Sequence, residues 1–485
     1  MDPAPASSPA DVPRGLTSLR PLRHRNYALL WTGGLISIVG SWMQTVAVGA
    51  LVVSHTGKAS WAVLVAAGAF LPIGLLSPVG GALADRIPRR PALIAGNLVS
   101  CVVAFVIALL VATGHDGPGL LVLLVTVQGA VGALTNPFQQ AILPDLVPRS
   151  EFLAAASLGS AQFNLGRVVG PVAAGAVIAA FGYPVAFVAN AISFVAVVVA
   201  LMFIQLSPPP RTATGSGLLG SLRLGWRASM AEPTCRAAIM TVTIVAILAS
   251  PFIALVPAMA HRVSELGHVP HLAHGRQIAF ATAVLTTAQG VGAVLGALVL
   301  APLAAKFGRG RVLTASLALL PIVLTAYGFA SSLLWATVAL FVVGLVYIGV
   351  LSSLSTLVQL HAPLEFRGRI LSLYLVGLGV GYPIGSLLQG PLADRIGLGW
   401  TAALTSVALV LVIGGIVAVR PGLLRPLVAS EHPAGTSSRG TGALISPSHS
   451  PRAESQGSSE LPGGGSSTGP TSGGGAERHE GSRHA

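Results

Sequence analysis

The sequence predicts an all-α integral membrane protein whose twelve transmembrane helices form two six-helix pseudo-symmetric bundles. Hydrophobic residues make up 53% of the 485 residues, whereas only 9% are Asp, Glu, Lys or Arg. Soluble domains carry about 25% charged residues, so too few ionic groups are present to cover a water-exposed surface. The mean hydropathy of +0.78 agrees. Composition therefore excludes a soluble enzyme, a disordered protein and, with only two cysteines, a secreted disulfide scaffold.

Twelve apolar runs are long enough to cross a bilayer. A hydrocarbon core of roughly 30 Å requires about 20 helical residues, and only helices or closed barrels satisfy every backbone polar group in lipid. Because the runs are long and continuously apolar, they predict helices. They cover residues 27–53, 60–84, 91–113, 119–142, 152–181, 183–205, 236–260, 277–304, 311–330, 332–360, 370–392 and 399–420.

The basic residues predict the orientation. Up to residue 425, nineteen Lys and Arg lie in the N-terminal segment, in the loops on its side and just after the last run, whereas four lie in the alternate loops. Positive residues are retained on the cytoplasmic side, so we expect a multi-pass protein of the cell membrane with both termini cytoplasmic. The net charge of +13 is thus explained by topology. Because the basic residues form no stripe or groove, we expect no nucleic-acid partner.

The chain divides into five segments. A cytoplasmic N-terminal segment (1–26) precedes the first six-helix bundle (27–205), and a linker with a short amphipathic helix (206–235) leads to the second bundle (236–421). Residues 422–485 are dominated by Gly, Ser and Pro, so we expect a disordered cytoplasmic tail.

An internal repeat supports two related halves. Five residues of the first half recur 215 positions later: Pro148, Gly166, Gly170, Gly175 and Gly182 recur as Pro363, Gly381, Gly385, Gly390 and Gly397. The repeat predicts that the fifth and sixth helices have counterparts in the eleventh and twelfth. Parallel six-helix repeats of this kind are typical of major facilitator transporters.

The segment after the second run has a glycine, a carboxylate and a basic cluster. Residues 80–90 read GGALADRIPRR, which resembles the cytoplasmic signature of the major facilitator superfamily, with Pro88 in place of the usual Gly. The resemblance implies a gate formed by Gly81, Asp85, Arg86, Arg89 and Arg90. Asp85 is suited to the positive N-terminal end of a neighbouring helix. The alternative is a basic loop that only fixes topology.

A glycine motif in the fifth run predicts close helix packing. Gly166, Gly170, Pro171 and Gly175 resemble the G-x-x-x-G-P-x-x-G-G motif of exporting members of the superfamily, with Ala174 for one glycine. Small residues at four-residue spacing let helices approach closely. Ordinary packing is the alternative interpretation, and the motif is the main sequence reason to favour export over import.

Six polar residues within the runs are candidates for the substrate pathway. Arg167 lies about fifteen residues into its run, where a charge costs at least ~2.5–3.5 kcal/mol and is usually functional; a structural hydrogen-bonded arginine is the alternative. The other five are amides and a tyrosine that could equally join helices: Gln44, Gln128, Asn136, Gln289 and Tyr382. We expect a mostly apolar cavity with few polar anchors, suited to amphiphilic molecules.

Over residues 20–425 the chain resembles a permease of the major facilitator superfamily. Trp42-Met43-Gln44, Asn136-Pro137 and the segment 367–374 (RGRILSLY) are similar to the drug and siderophore exporter branch that includes the enterobactin exporter. The resemblance implies a secondary transporter that exports drugs, siderophore-like compounds or other secondary metabolites by rocker-switch alternating access. A nutrient importer or lipid transporter is the second interpretation, and a non-transporting receptor or scaffold the third.

The remaining expectations concern partners and chemistry. We expect no enzyme activity, no cofactor and no metal; a histidine-rich loop at 261–274 fits a solvated loop better than a metal site. No nucleotide-binding P-loop is present, so ATP does not drive the protein directly. Because no Asp or Glu lies well inside a run, only the family resemblance implies protons as the coupling ion. We expect a monomer in the lipid bilayer that binds a small-molecule substrate.

Overall fold

The computed structural model describes residues 16–84, 86–204, 226–267 and 273–419, together with Leu427. Thirteen helices in these ranges build twelve candidate membrane spans, as the sequence predicts. The helices are α1 (Arg25–Thr56), α2 (Ala59–Ala84), α3 (Arg89–Thr113), α4 (Pro118–Ala141), α5 (Phe152–Phe181), α6 (Tyr183–Phe203), α7 (Pro233–Leu248), α8 (Phe252–Glu265), α9 (His274–Phe307), α10 (Arg309–Gly328), α11 (Leu333–His361), α12 (Arg367–Ile396) and α13 (Leu398–Val419).

The seventh span is broken, which the sequence analysis did not predict. It runs from Pro233 to Glu265 but consists of α7 and α8, with Pro251 at the start of α8. A proline removes one backbone donor and ends the preceding helix, so carbonyls of α7 lose their partners. Gln389 of α12 donates to two of them, the oxygens of Ile247 and Leu248, at 3.0 Å each. The break is therefore satisfied by protein, as lipid-embedded backbone requires.

The glycine repeat has a structural counterpart in each bundle. A Cβ at Gly166 would meet Ile38 of α1, and a Cβ at the repeated Gly381 would meet Ala246 of α7. The last pair of the repeat, Gly182 and Gly397, ends α5 and α12 with φ of 87° and 82°. These backbone angles favour glycine because it has no Cβ. The same residues thus perform the same packing and termination in both halves.

We define two faces of the helical assembly. The basic face holds the first residues of α1, α3, α10 and α12, which are Arg25, Arg89, Arg309 and Arg367. The opposite face holds the other ends of these helices. At the opposite face, backbone and side-chain hydrogen bonds join the bundle α1–α6 to the bundle α7–α13, through Asp394, Arg276 and Tyr183.

The ion pairs that the structure shows at the basic face join residues of one bundle. Arg89 pairs with Asp145 at 2.6 Å, and His24 lies 3.0 Å from Glu151. All four residues belong to the first bundle or the segment before it. The bundles are therefore held together mainly at the opposite face in this conformation.

The segments outside the spans are described only in part. A 3₁₀ helix (Leu16–Arg23) precedes α1, whereas residues 1–15 and most of the predicted tail lie outside the described residues. Of the predicted linker, a helical turn at 226–231 is described and α7 begins at Pro233. The seventh span thus begins three residues before the predicted 236, because proline is well suited to the first turn of a helix. The predicted amphipathic segment before residue 226 lies outside the described residues.

Candidate functional site

A polar cavity lies inside the first bundle. Its volume is about 330 Å³, and helices α1 to α6 all contribute to its lining. Among the described lining residues none is ionisable, and eleven carry an amide or hydroxyl group: Ser37, Ser41, Gln44, Thr45, Asn97, Ser100, Gln128, Thr135, Asn136, Gln139 and Gln162. The structure therefore brings together three of the predicted pathway residues, Gln44, Gln128 and Asn136. The polar groups are more numerous than the few anchors that the sequence predicted.

The deepest part of this cavity is an amide network. Gln44 donates from Nε2 to Oε1 of Gln128 at 2.5 Å, and accepts at Oε1 from Nδ2 of Asn190 at 2.6 Å. Ser193 donates to Oδ1 of Asn190 at 3.1 Å. Buried amides in an apolar environment require such partners, so the network fixes the Gln44 side chain. Asn190 was missed by the sequence analysis, although it is an isolated amide in an apolar run.

A smaller cavity connects this region to the second bundle. It has a volume of about 100 Å³, shares Gln44 and Val125 with the polar cavity, and is also lined by Tyr382 of α12. Tyr382 packs edge-on against Phe70 of α2, with ring centroids 5.4 Å apart. Tyr382 is therefore placed at the interface of the bundles, next to the predicted amides.

Arg167 and Gln289 lie apart from the polar cavity. A Cβ at Gly290, the residue after Gln289, would lie 3.3 Å from the carbonyl oxygen of Arg167, so α9 packs closely against α5 here. Two amides on the same helix donate to backbone oxygens: Gln162 to that of Trp31 and Asn164 to that of Ser160. The Nη2 atom of Arg167 is buried without a hydrogen-bond partner among the described residues.

The glycine motif of α5 brings three helices together. Gly166 and Gly170 face α1, where added Cβ atoms would meet Ile38 and Trp42, and Gly175 faces Ala283 of α9 at 2.9 Å. Pro171 is buried between them within a continuous helix. The motif therefore packs α5 both within its own bundle and across to the second one.

The motif at residues 80–90 lies at the basic face, and only one of its two glycines makes a close helix contact. Asp85 lies outside the described residues, and a Cβ at Gly81 would meet no atom within 4 Å. The close helix approach at this motif is made by Gly80, whose added Cβ would lie 2.7 Å from the oxygen of Leu134 in α4. Gly81 faces away from α4 in this conformation.

The three arginines of this motif make no cross-bundle contact that the structure shows. Arg89 pairs with Asp145 in the short 3₁₀ helix after α4, and Arg90 donates to the oxygen of Met202 in α6 at 2.8 Å. Arg86 is exposed. The cluster therefore ties α3 to α4 and α6 within the first bundle.

Asp394, at the end of α12, makes the contact predicted for Asp85, but at the opposite face. Its Oδ1 accepts the backbone N–H of Ala59 at 2.6 Å, and its Oδ2 that of Ser60 at 3.2 Å. The carboxylate thus caps the N-terminal end of α2, where the helix dipole favours an anion. This role was not predicted from the sequence, although Leu392-Ala393-Asp394-Arg395-Ile396 repeats the residues 83–87.

Comparison with known proteins identifies the family. The profile of the family described as "Transmembrane secretion effector" (MFS_3) matches residues 16–434. The chain belongs to this family. It is therefore a transporter of the major facilitator superfamily and not an enzyme, and the predicted superfamily, exporter branch and fold are confirmed. It is a multi-pass membrane protein.

Other members of the transporter superfamily are similar over most of this chain. The multidrug efflux pump Tap of Mycolicibacterium fortuitum is 27% identical over 84% of this chain and 98% of its own length. The staphyloferrin A transporter of Staphylococcus aureus (strain NCTC 8325 / PS 47) is 23% identical over 83% and 98%. The multidrug resistance protein MdtG of Dickeya zeae (strain Ech586) is 26% identical over 77% and 89%.

Solved structures share the fold. A bacterial homolog of the human lysosomal transporter Spinster, in an inward-facing and occupied conformation, superposes with a TM-score of 0.60 at 15% identity and covers 84% of this chain and 94% of its own. A bacterial homologue of the iron transporter ferroportin, in an inward-facing state, gives 0.59 at 17% identity over 81% and 98%. At these identities the likeness shows the transporter fold alone.

Proposed function

We propose that this transporter exports amphiphilic small molecules from the cytoplasm by rocker-switch alternating access. One observation carries the proposal: the two bundles are hydrogen-bonded to each other at the opposite face, while the polar cavity extends from Gln44 at mid-depth to Leu30 and Gln139 near the basic face. The basic face is the cytoplasmic face under the positive-inside rule. The conformation is then open to the cytoplasm.

Transport requires the opposite face to open and the basic face to close. Substrate enters from the basic face and reaches the amides Gln44, Gln128 and Asn136. The bundles then rock about the α2–α12 and α5–α9 contacts until Asp85 meets the N-terminal end of α12 and the opposite face opens. In this cycle Gly81 becomes packed, and Arg86, Arg89 and Arg90 hold the basic-face loop. Gly166, Gly170, Pro171 and Gly175 keep α5 close to α1 and α9 throughout.

Export, rather than uptake, is favoured by the similar proteins, two of which are a multidrug efflux pump and a multidrug resistance protein. The lining supports an amphiphilic substrate. Neutral amides and hydroxyls alternate with Leu, Ile, Val and Phe side chains, so that one part of a molecule is solvated by hydrogen bonds and another by apolar contact.

Coupling and assembly are part of the same proposal. We propose proton antiport as the driving reaction and a monomer as the working unit, because one chain supplies both bundles. Every described carboxylate lies at a span end or in a loop, for example Asp145, Glu265 and Asp394. A proton site in these ranges would therefore be near a face and not at mid-depth.

Paired vesicle preparations test this function. Inside-out and right-side-out membrane vesicles from an efflux-deficient bacterium expressing the chain are given a panel of anionic, neutral and cationic fluorescent amphiphiles. We expect accumulation in inside-out vesicles, lost when a protonophore collapses the gradient. Vesicles with Asp85→Asn, checked for equal insertion, should accumulate less.

The alternatives give different results in this assay. Accumulation in right-side-out vesicles only would indicate an importer. Movement of labelled lipid between leaflets without dye transport would indicate a lipid transporter. A protein that moves no probe in either preparation, but retains a partner through residues 422–485, would be a receptor or scaffold.

A further inference from the structure

Arg167 is a partly buried cation for which the described residues show no partner. Among the described residues no hydrogen bond or ion pair involves its guanidinium, and its Nη2 atom is inaccessible to solvent and unpaired. Burying an isolated charge costs several kcal/mol unless an opposite charge or hydrogen bonds compensate it. At membrane depth such an arginine is expected to face a pathway and to have a functional partner.

Arg167 lies on α5 at the point where one face of the helix changes from accessible residues to buried ones. Ala174 and Ile178, seven and eleven residues later on the same helical face, are both 0% exposed. Asn164 and Ser160, three and seven residues earlier on that face, are partly exposed and exposed. The guanidinium therefore lies at the inner end of the region that is accessible from the basic face.

The surroundings of Arg167 contain dipoles but no described anion. Tyr347 of α11 lies near the guanidinium, and its hydroxyl is 2.7 Å from Oγ of Ser250. Ser250 belongs to the break between α7 and α8. Discontinuous helices at mid-depth are where transporters of this kind bind polar groups. A neutral phenol does not neutralise an arginine, and each described carboxylate is at a span end or in a loop.

We infer that Arg167 binds the anionic group of the transported molecule, and that the substrates are organic acids with an apolar body. The inference rests on the proposed function and specifies its substrate class. A guanidinium presents a planar set of donors that matches the two oxygens of a carboxylate. The neutral amides around Gln44 discriminate poorly between charged and uncharged solutes, so Arg167 supplies the selectivity for the acid.

Direct binding tests this site without transport. The probes are dansyl-leucine and its primary amide, which share an apolar body and differ by one negative charge. Dansyl fluorescence is titrated against the purified full chain in nanodiscs, with empty nanodiscs subtracted. We expect the wild type to bind the acid roughly tenfold or more tightly than the amide. Arg167→Gln should remove this preference and leave the affinity for the amide within about twofold.

Two variants serve as controls. Arg149→Gln removes an exposed arginine near the basic face and should keep the acid preference. Arg167→Lys retains the charge without the planar donors and should keep part of it. Equal preference in the wild type and in Arg167→Gln, or a wild type that does not favour the acid, would contradict the site.

The unfolding temperature without substrate distinguishes a ligand-binding arginine from a structural one. Without substrate, Arg167→Gln should unfold at the same or a higher temperature than the wild type, because an uncompensated buried charge has been removed. A lower unfolding temperature would indicate a structural partner and overturn the inference. The vesicle panel distinguishes the two proposals. Export of neutral and anionic amphiphiles at equal rates would support the proposed exporter and contradict the acid preference.

Discussion

The same five residues, Leu-Ala-Asp-Arg-Ile, stand at opposite ends of the α2–α12 pair and are in different environments. The copy at 392–396 lies at the opposite face, where Asp394 accepts two backbone N–H groups of α2. Close by, a Cβ at Gly390 would lie 3.0 Å from Cα of Ser60. The copy at 83–87 lies at the basic face, where a Cβ at Gly81 would meet nothing within 4 Å. The copy at 392–396 and its preceding glycine thus contact α2, whereas the glycine that precedes the copy at 83–87 makes no close contact.

The difference fits the proposed cycle, in which the repeated residues give two equivalent closures and this conformation uses the one at Asp394. In each proposed closure a carboxylate at the end of one helix meets the positive end of its neighbour, which is favourable by a few tenths to about 1 kcal/mol per group. Interactions of this size can be broken and replaced, because neither closure is much more stable than the other. A pair of matched closures therefore suits an equilibrium between two states of similar free energy.

Covalent closure of the opposite face should have the largest effect. In a background with Cys101 and Cys235 replaced by Ala, Ser60→Cys and Asp394→Cys are joined by a short methanethiosulfonate cross-linker. Because the bundles can then no longer separate at this face, we expect dye accumulation in inside-out vesicles to fall to background and to return after reduction. Each single cysteine with the same reagent is the control. Undiminished transport by the cross-linked protein would show that this face does not open.

Removing one carboxylate should shift the equilibrium between the two states by a smaller amount. Asp394→Asn removes the charge that interacts with the dipole of α2, worth about 0.3–1 kcal/mol, so we expect a roughly two- to fivefold shift toward the form closed at the basic face. Asp85→Asn should shift it in the other direction. Spin labels at Leu153→Cys and Leu364→Cys, two side chains that are each 82% exposed near the basic face, report the separation of the bundles. Shifts of the same sign in both variants would contradict equivalent closures.

The number of spans and the repeat were predictable because each depends on local composition. Twenty apolar residues have few other solutions in lipid, and the run 277–304 corresponds to α9 within a few residues. Gly166 and Gly170 were predictable for the same reason: small residues at helical spacing have a packing role wherever the helix lies. The break of the seventh span was missed because Pro251 lies within an apolar run and its compensating partner, Gln389, is 138 positions away.

The arrangement of polar residues was less predictable, because it depends on how distant helices meet. Nothing near Gln44 in the chain indicates that Asn190 and Gln128 become its partners. The role of Asp394 was not predictable, since it depends on where the N-terminal end of α2 lies. Arg167 was predictable from its depth in the run, but only the packed structure shows that its Nη2 atom is buried without a hydrogen-bond partner among the described residues.

Two buried tyrosine hydroxyls, one joining the bundles and one within the first bundle, allow the comparison with the smallest expected effect. Tyr183 donates to the oxygen of Gly275 at 2.7 Å and joins the bundles at the opposite face, whereas Tyr27 donates to the oxygen of Ala155 at 3.0 Å within the first bundle. Replacing either by phenylalanine removes one hydrogen bond of about 0.6 kcal/mol, so both variants should lower the unfolding temperature by similar small amounts. Only Tyr183→Phe should also shift the spin-label distance at the basic face, by a roughly threefold change in populations. If Tyr27→Phe shifted it equally, the loss of any helix contact would alter the equilibrium, and the opposite face would have no special part in closing the pathway.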